Sequence, residues 1–187
     1  MEAYAAGQRV FAESRPQEFA AKVPQMPADV EWHFIGHLQT NKLKLVLPYA
    51  TLVQSVDSER LLQAIEQWAS VHGRTVSVLL EVHISSDAAK QGFTEAEILS
   101  VLGRSAAFPH VRFRGLMGMA TLTEDTSVIA GDFARIAALK ALVNEKSPNL
   151  TDFTELSIGM SGDWRLALEA GSTMVRIGTA IFGPREY

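Results

Sequence analysis

Glu155-Leu-Ser-Ile-Gly-Met-Ser161, followed by Thr173-Met-Val-Arg-Ile-Gly-Thr-Ala-Ile-Phe-Gly183, decides how the rest of the chain is read. The first segment has the apolar run of a strand and gives way to small polar residues, Ser161 and Gly162. A short helix follows, from about Asp163 to Gly171, and Thr173 to Gly183 reads as a second apolar strand. A helix start carries free N–H groups and partial positive charge, which suits an anion. The second strand places one arginine, Arg176, among apolar neighbours, with Gly178 and Thr179 just beyond it. Two adjacent strand ends offering N–H groups, hydroxyls and a guanidinium suit a phosphate ligand with one extra polar contact. The plainer alternative is a strand–helix–strand unit whose arginine pairs with a carboxylate. Spacing leaves both open.

Outward from this unit, strand and helix signals alternate. Met1 to Gly7 reads as the end of a helix stopped by Gly7. Strands are expected at Gln8–Ser14, Glu31–Gly36, Leu52–Val56, Val76–Ile84 and Phe113–Ala120. The glycines of the last of these suggest close packing or the approach of a ligand. Arg15–Lys22 reads as helix, with Pro16 tolerated in its first turn. Asp57 can cap a helix striped by Leu61, Leu62, Ile65, Trp68 and Ala69. Thr94 and Glu97 form a capping box for a helix reaching about Ala106. Ile129, Phe133, Ile136, Leu139 and Val143 stripe a longer one.

The 187 residues, 47% of them hydrophobic, suffice for one domain with a large core, read as 1–187 without a linker or repeat. A net charge of -4 without a basic run argues against nucleic acid as a partner. With no cysteine, neither a disulfide nor a thiolate centre can form. No apolar span of membrane length occurs, and the bounds describe a cytoplasmic α/β domain. His33, His37 and His83 lack a second ligand at metal spacing, so a zinc site is not expected. Glu81 and His83 would share one strand face as a polar pair, with a structural or a pocket role.

Strands that alternate with helices imply a parallel sheet, and about seven such units are legible. A (β/α)8 barrel needs eight, and often binds phosphate after its last two strands. If Thr173–Gly183 is the eighth strand, the chain starts in a helix with no strand before it. The expectation is thus a TIM-type barrel lacking its first strand, an N-terminally shortened form.

Trp32-His-Phe-Ile-Gly-His-Leu-Gln-Thr-Asn-Lys42, Arg114-Gly-Leu-Met117, Leu156-Ser-Ile-Gly-Met-Ser161 and Gly171-Ser-Thr-Met-Val-Arg-Ile-Gly-Thr-Ala-Ile-Phe-Gly183 together resemble the pyridoxal phosphate homeostasis protein family. The resemblance covers essentially the whole chain. It implies the alanine racemase N-terminal barrel and pyridoxal 5′-phosphate (PLP) as cofactor. It further implies a cytoplasmic role in vitamin B6 and amino-acid homeostasis, without established turnover, with PLP-dependent apo-enzymes as candidate recipients.

Carried over by position, the resemblance implies that Ser161, Gly178 and Thr179 hold the phosphate. Arg176 would face the pyridine nitrogen, and Met160 and His33 would line the pocket. The family's Phe-Gly-Glu-Asn motif reads Phe11-Ala-Glu-Ser14 here, so Ser14 offers the ring a hydroxyl in place of an amide. The family's Schiff-base lysine stands on the first barrel strand. The lysines here, Lys22, Lys42, Lys44, Lys90, Lys140 and Lys146, read as helix or loop positions. None is assigned that role, although Lys90, on a rim loop, is a candidate substitute. Two other functions stay open: a racemase-like PLP enzyme, and a barrel acting only through protein contacts.

Overall fold

A computed structural model describes residues 1–85 and 91–183. The chain enters through α1 (Glu2–Ala5), which Gly7 ends at φ 99°, a conformation that favours glycine. Strands β1 (Val10–Glu13), β2 (Glu31–Phe34), β3 (Leu52–Val56) and β4 (Val76–Glu81) follow, then β5 (Val111–Met117), β6 (Glu155–Met160) and β7 (Met174–Arg176). The helices between them are α2 (Pro16–Lys22), α3 (Leu43–Val46), α4 (Glu59–Val71), α5 (Glu95–Gly103), α6 (Thr126–Lys146) and α7 (Trp164–Glu169). A last turn, α8, covers Thr179–Phe182.

All seven strands are parallel and stand in chain order. The sheet is rolled, as one contact shows. Gln54 Nε2 on β3 lies 2.9 Å from Met174 Sδ on β7. In a flat sheet those strands would stand about 19 Å apart, at four spacings of about 4.8 Å. The architecture is therefore the expected parallel α/β barrel, with seven strands among the described residues and no pairing between β1 and β7.

Two apolar layers result. The outer one fills the space between sheet and helices: Trp32 and Phe34 meet Phe19 of α2 edge-on, at ring distances of 5.6 and 5.8 Å. The stripes expected on α4 and α6 are buried there, with Trp68 only partly so. The inner layer is small, with Leu52, Leu79 and Met117 packed beside Met174.

Several local expectations shift. The Thr94–Glu97 capping box is present, but its helix ends at Gly103, before a 3-10 turn at Ser105–Ala107. Ser58 rather than Asp57 caps α4, because the Asp57 carboxylate faces His37 Nδ1 at 2.9 Å. The glycines of β5 serve packing: a Cβ on Gly115 would lie 2.6 Å from the Glu155 carbonyl carbon. The long last strand is the clearest correction. It stops at Arg176, and the N–H groups of Gly178 and Ala180 turn to Ser161 Oγ instead of a ladder. Ile181 and Phe182, expected inside a strand, lie 61% and 67% exposed on α8.

Candidate functional site

Parallel strands deliver their C-terminal ends to one rim of a barrel, where the connecting loops build the site. The ends of β6 and β7 meet there, with Met160 and Arg176 as register partners. One residue beyond Met160, Ser161 Oγ accepts from the N–H groups of Gly178 and Ala180, each at 3.3 Å. Hydroxyl and amides thus converge on one point, and an anion's oxygens suit such a set. Thr179 opens α8 between those two amides and is exposed. Met160, 39% exposed, gives its backbone N–H to Asp163.

Arg176 lies inside this rim with its head against the wall. Its Nη1 donates to Ser157 O at 2.8 Å and to Ser157 Oγ at 2.7 Å, while Nη2 donates to Gly118 O at 2.9 Å. A guanidinium has five N–H bonds. Three are committed here, which leaves Nε–H and one Nη2–H for a ligand. Burial pulls the group down to about 10, opposed by the charges of Glu81 and Asp163, and it stays protonated at neutral pH. The carboxylate partner of the plainer sequence reading is replaced by carbonyls and a hydroxyl.

The wall continues through residues that the sequence reading passed over. Ser157 Oγ donates to Gln54 Oε1 at 2.7 Å, and Gln54 Nε2 meets His33 Nδ1 at 2.9 Å. Ser157, Gln54 and His33 are 0%, 1% and 6% exposed. His33 is therefore an interior residue, joined to Arg176 through two others. Burial pushes its pKa down to about 4, slightly opposed by Glu155. The available signal was a polar residue at one inward position of an apolar strand, Gln54 in Leu52–Val56 and Ser157 in Leu156–Ile158.

Glu81, at the end of β4, is 3% exposed and takes a 3.4 Å bond from Gln91 Nε2. Burial and the Asp57 charge raise it above the usual carboxylate range, against the pull of Gln91, Arg176 and His37. The pairing expected with His83 does not form, since β4 ends at Glu81 and His83 instead bonds Phe93 through its backbone. Ser14 follows β1 at the same rim, its backbone so close to Gly36 that a Cβ there would lie 2.6 Å from Ser14 C. Among the described residues, no hydrogen bond joins the Ser14 hydroxyl to the other site residues.

The described lysines lie off the strands. Lys22 in α2 pairs with Glu13 and Glu18, Lys42 stands in a 3-10 turn and Lys44 in α3, and Lys140 and Lys146 are in α6. Lys90 lies outside the described residues. Among those residues, no group of His, Asp and Glu is arranged to hold a metal. No described helix is long and apolar enough to cross a membrane.

The model of the alanine racemase N-terminal domain family matches residues 1–186. The pyridoxal phosphate homeostasis protein of Vibrio alginolyticus is 38% identical over all of this chain and 81% of its own length. The chain belongs to the pyridoxal phosphate homeostasis protein family. Among solved structures, PipY of Synechococcus elongatus without PLP superposes with a TM-score of 0.91 at 37% identity, over 97% of this chain and 85% of that one. PipY with PLP bound gives 0.88 over the same shares. D-threonine aldolase from Filomicrobium marinum, at 18% identity and a TM-score of 0.73, shares the fold. The homeostasis-family motifs quoted above supply β2, β5, β6 and β7, and their last two meet at the Ser161–Arg176 rim.

Proposed function

We propose that this chain, as one domain, binds pyridoxal 5′-phosphate at the rim of β6 and β7 and serves its homeostasis in the cytoplasm, holding and releasing the cofactor. The observation that carries this reading is the convergence of Ser161 Oγ with the N–H groups of Gly178 and Ala180, two and four residues past Arg176. The donor set fits the group: a hydroxyl and backbone amides for phosphate, and a guanidinium with free N–H bonds for the ring nitrogen. PLP-bound PipY and the naming of the curated relatives support it. When bound, PLP supplies an electron sink, which is strongest when its ring nitrogen is protonated. Arg176, a donor that stays charged, leaves that nitrogen unprotonated. The site therefore favours carriage over carbanion chemistry, with PLP-dependent apo-enzymes as the recipients.

Equilibrium dialysis against PLP and against pyridoxal, which lacks the phosphate, tests the assignment. The parent should prefer PLP, and Ser161→Ala should weaken PLP by about tenfold, the worth of one hydrogen bond to a charged group, while sparing pyridoxal. Equal affinity of the parent for the two ligands would remove the phosphate cradle from consideration.

A further inference from the structure

Inside the barrel, four side chains from four strands form a single line: Arg176 on β7, Ser157 on β6, Gln54 on β3 and His33 on β2. The direction of every hydrogen bond in it is set from one end. Arginine can only donate. Ser157 Oγ therefore accepts from Nη1, and its one hydrogen points to Gln54 Oε1. That contact fixes the amide, so Gln54 Nε2 donates, to His33 Nδ1 at 2.9 Å and to Met174 Sδ at 2.9 Å. His33 must accept on Nδ1, which requires the neutral ring carrying its proton on Nε2. A proton on Nδ1 would face an N–H and break the line.

We propose that Ser157 and Gln54, terminated by neutral His33, are positioning residues that hold the Arg176 guanidinium in the plane in which its free N–H bonds meet the ligand's ring nitrogen. The proposal rests on the reading of the rim as a PLP site and adds how its cation is oriented. Without the line, Nη1 keeps only the Ser157 carbonyl and Nη2 only Gly118 O, and the head can pivot about them. Burial makes the line effective, since no water reaches Ser157 or Gln54 to replace a lost partner.

Two measurements test it, one without any ligand. In the unliganded protein, nitrogen-15 NMR of His33 should show a bare Nδ1 and a protonated Nε2 at pH 7. Gln54→Glu should reverse that end of the line, because a carboxylate accepts: His33 then carries a proton on Nδ1, and its pKa rises from the parent's. In the dialysis experiment, Ser157→Ala and Gln54→Met should each weaken PLP and pyridoxal alike, by about tenfold, since both ligands present the ring nitrogen. Ser161→Ala weakens PLP alone. A parent His33 protonated on Nδ1, or folded Ser157 and Gln54 variants that bind both ligands like the parent, would overturn the proposal. If the parent binds neither ligand, the cofactor reading fails, and the tautomer of His33 still decides whether the line exists.

Discussion

Replacing Gly115 with alanine should loosen the barrel at the seam that carries the site. Gly115 has φ 153°, a conformation that L side chains rarely adopt, and it opposes Glu155 in the β5–β6 register. An added Cβ would stand 2.6 Å from the Glu155 carbonyl carbon and 2.9 Å from its Cα. Ordinary carbon contacts begin at about 3.5 Å, so β6 must retreat by about 1 Å. The backbone conformation alone costs about 1–3 kcal/mol for a non-glycine residue, and each weakened ladder bond about 0.5–1.5 kcal/mol. A total of about 2–5 kcal/mol is large against the 5–15 kcal/mol typical of a domain. Because β6 carries Ser157 and leads into Ser161, PLP affinity should fall with stability. Urea unfolding followed by circular dichroism measures the first, with Gly131→Ala as the matched control. Gly131 lies in α6 with nothing within 4 Å of an added Cβ, so that change should stabilise the chain by about 0.5–1 kcal/mol. A Gly115→Ala protein within about 0.5 kcal/mol of the parent would refute the packing argument, since strain and clash would then both be absent.

Two predictions concern pH. His33 has a folded pKa of about 4, below its ordinary 6.5, so the unfolded chain takes the proton first. Stability should be complete above pH 6.5, decline as the pH falls from there towards 4, and lose about 3 kcal/mol over that window. His33→Gln should flatten this part of the profile in urea titrations run at stepped pH. Glu13 behaves oppositely: burial would raise its pKa, but Lys22 and the Ser14 N–H together hold it below the usual value. Its contribution is present above the unfolded carboxylate pKa and is lost as the pH falls through the folded one. Lys22→Ala removes the Lys22 hydrogen bond from buried Glu13, at a cost of about 1–2 kcal/mol at pH 7. The deficit should shrink at pH 4 as Glu13 takes up a proton, and a deficit that persists unchanged there would mean that the pair contributes by packing.

The sequence carries signals that run along the chain far better than those that cross the barrel. The stripes of α4 and α6 were legible because burial on one helix face imposes a period on neighbouring residues. The capping box at Thr94 and the strand cores were legible for the same reason, since both are local. Ser161, Gly178 and Arg176 could be connected because β6 and β7 are neighbours in sequence as well as in space. Ser157, Gln54 and His33 could not. Gln54 lies 103 positions from Ser157, and nothing in either strand states which inward residue faces which. The length of the last strand was misjudged because apolar residues alone suggest burial, whereas Gly178 sends the chain into the turn α8 and leaves Ile181 and Phe182 outside.

The two layers of the fold divide its tasks between them. Stability resides mostly outside the barrel, where most of the large fully buried side chains are found, among them Phe19, Phe34, Leu62, Ile65 and Phe133. The interior has a small apolar cluster, Leu52, Leu79 and Met117 beside Met174, next to a polar line through His33, Gln54, Ser157 and Arg176. An interior of that kind contributes little hydrophobic energy, so its polar residues can be exchanged at modest cost provided no partner is left orphaned. Gln54→Met, which orphans the Ser157 hydroxyl and His33 Nδ1, should therefore lower both stability and ligand affinity, whereas outer substitutions such as Phe133→Ala should change stability more than affinity. Phe133→Ala should cost about 3–5 kcal/mol while the folded fraction keeps its PLP affinity. A folded fraction that bound PLP tenfold more weakly would show the two layers to be coupled, and the rim to depend on how tightly the helices grip the sheet.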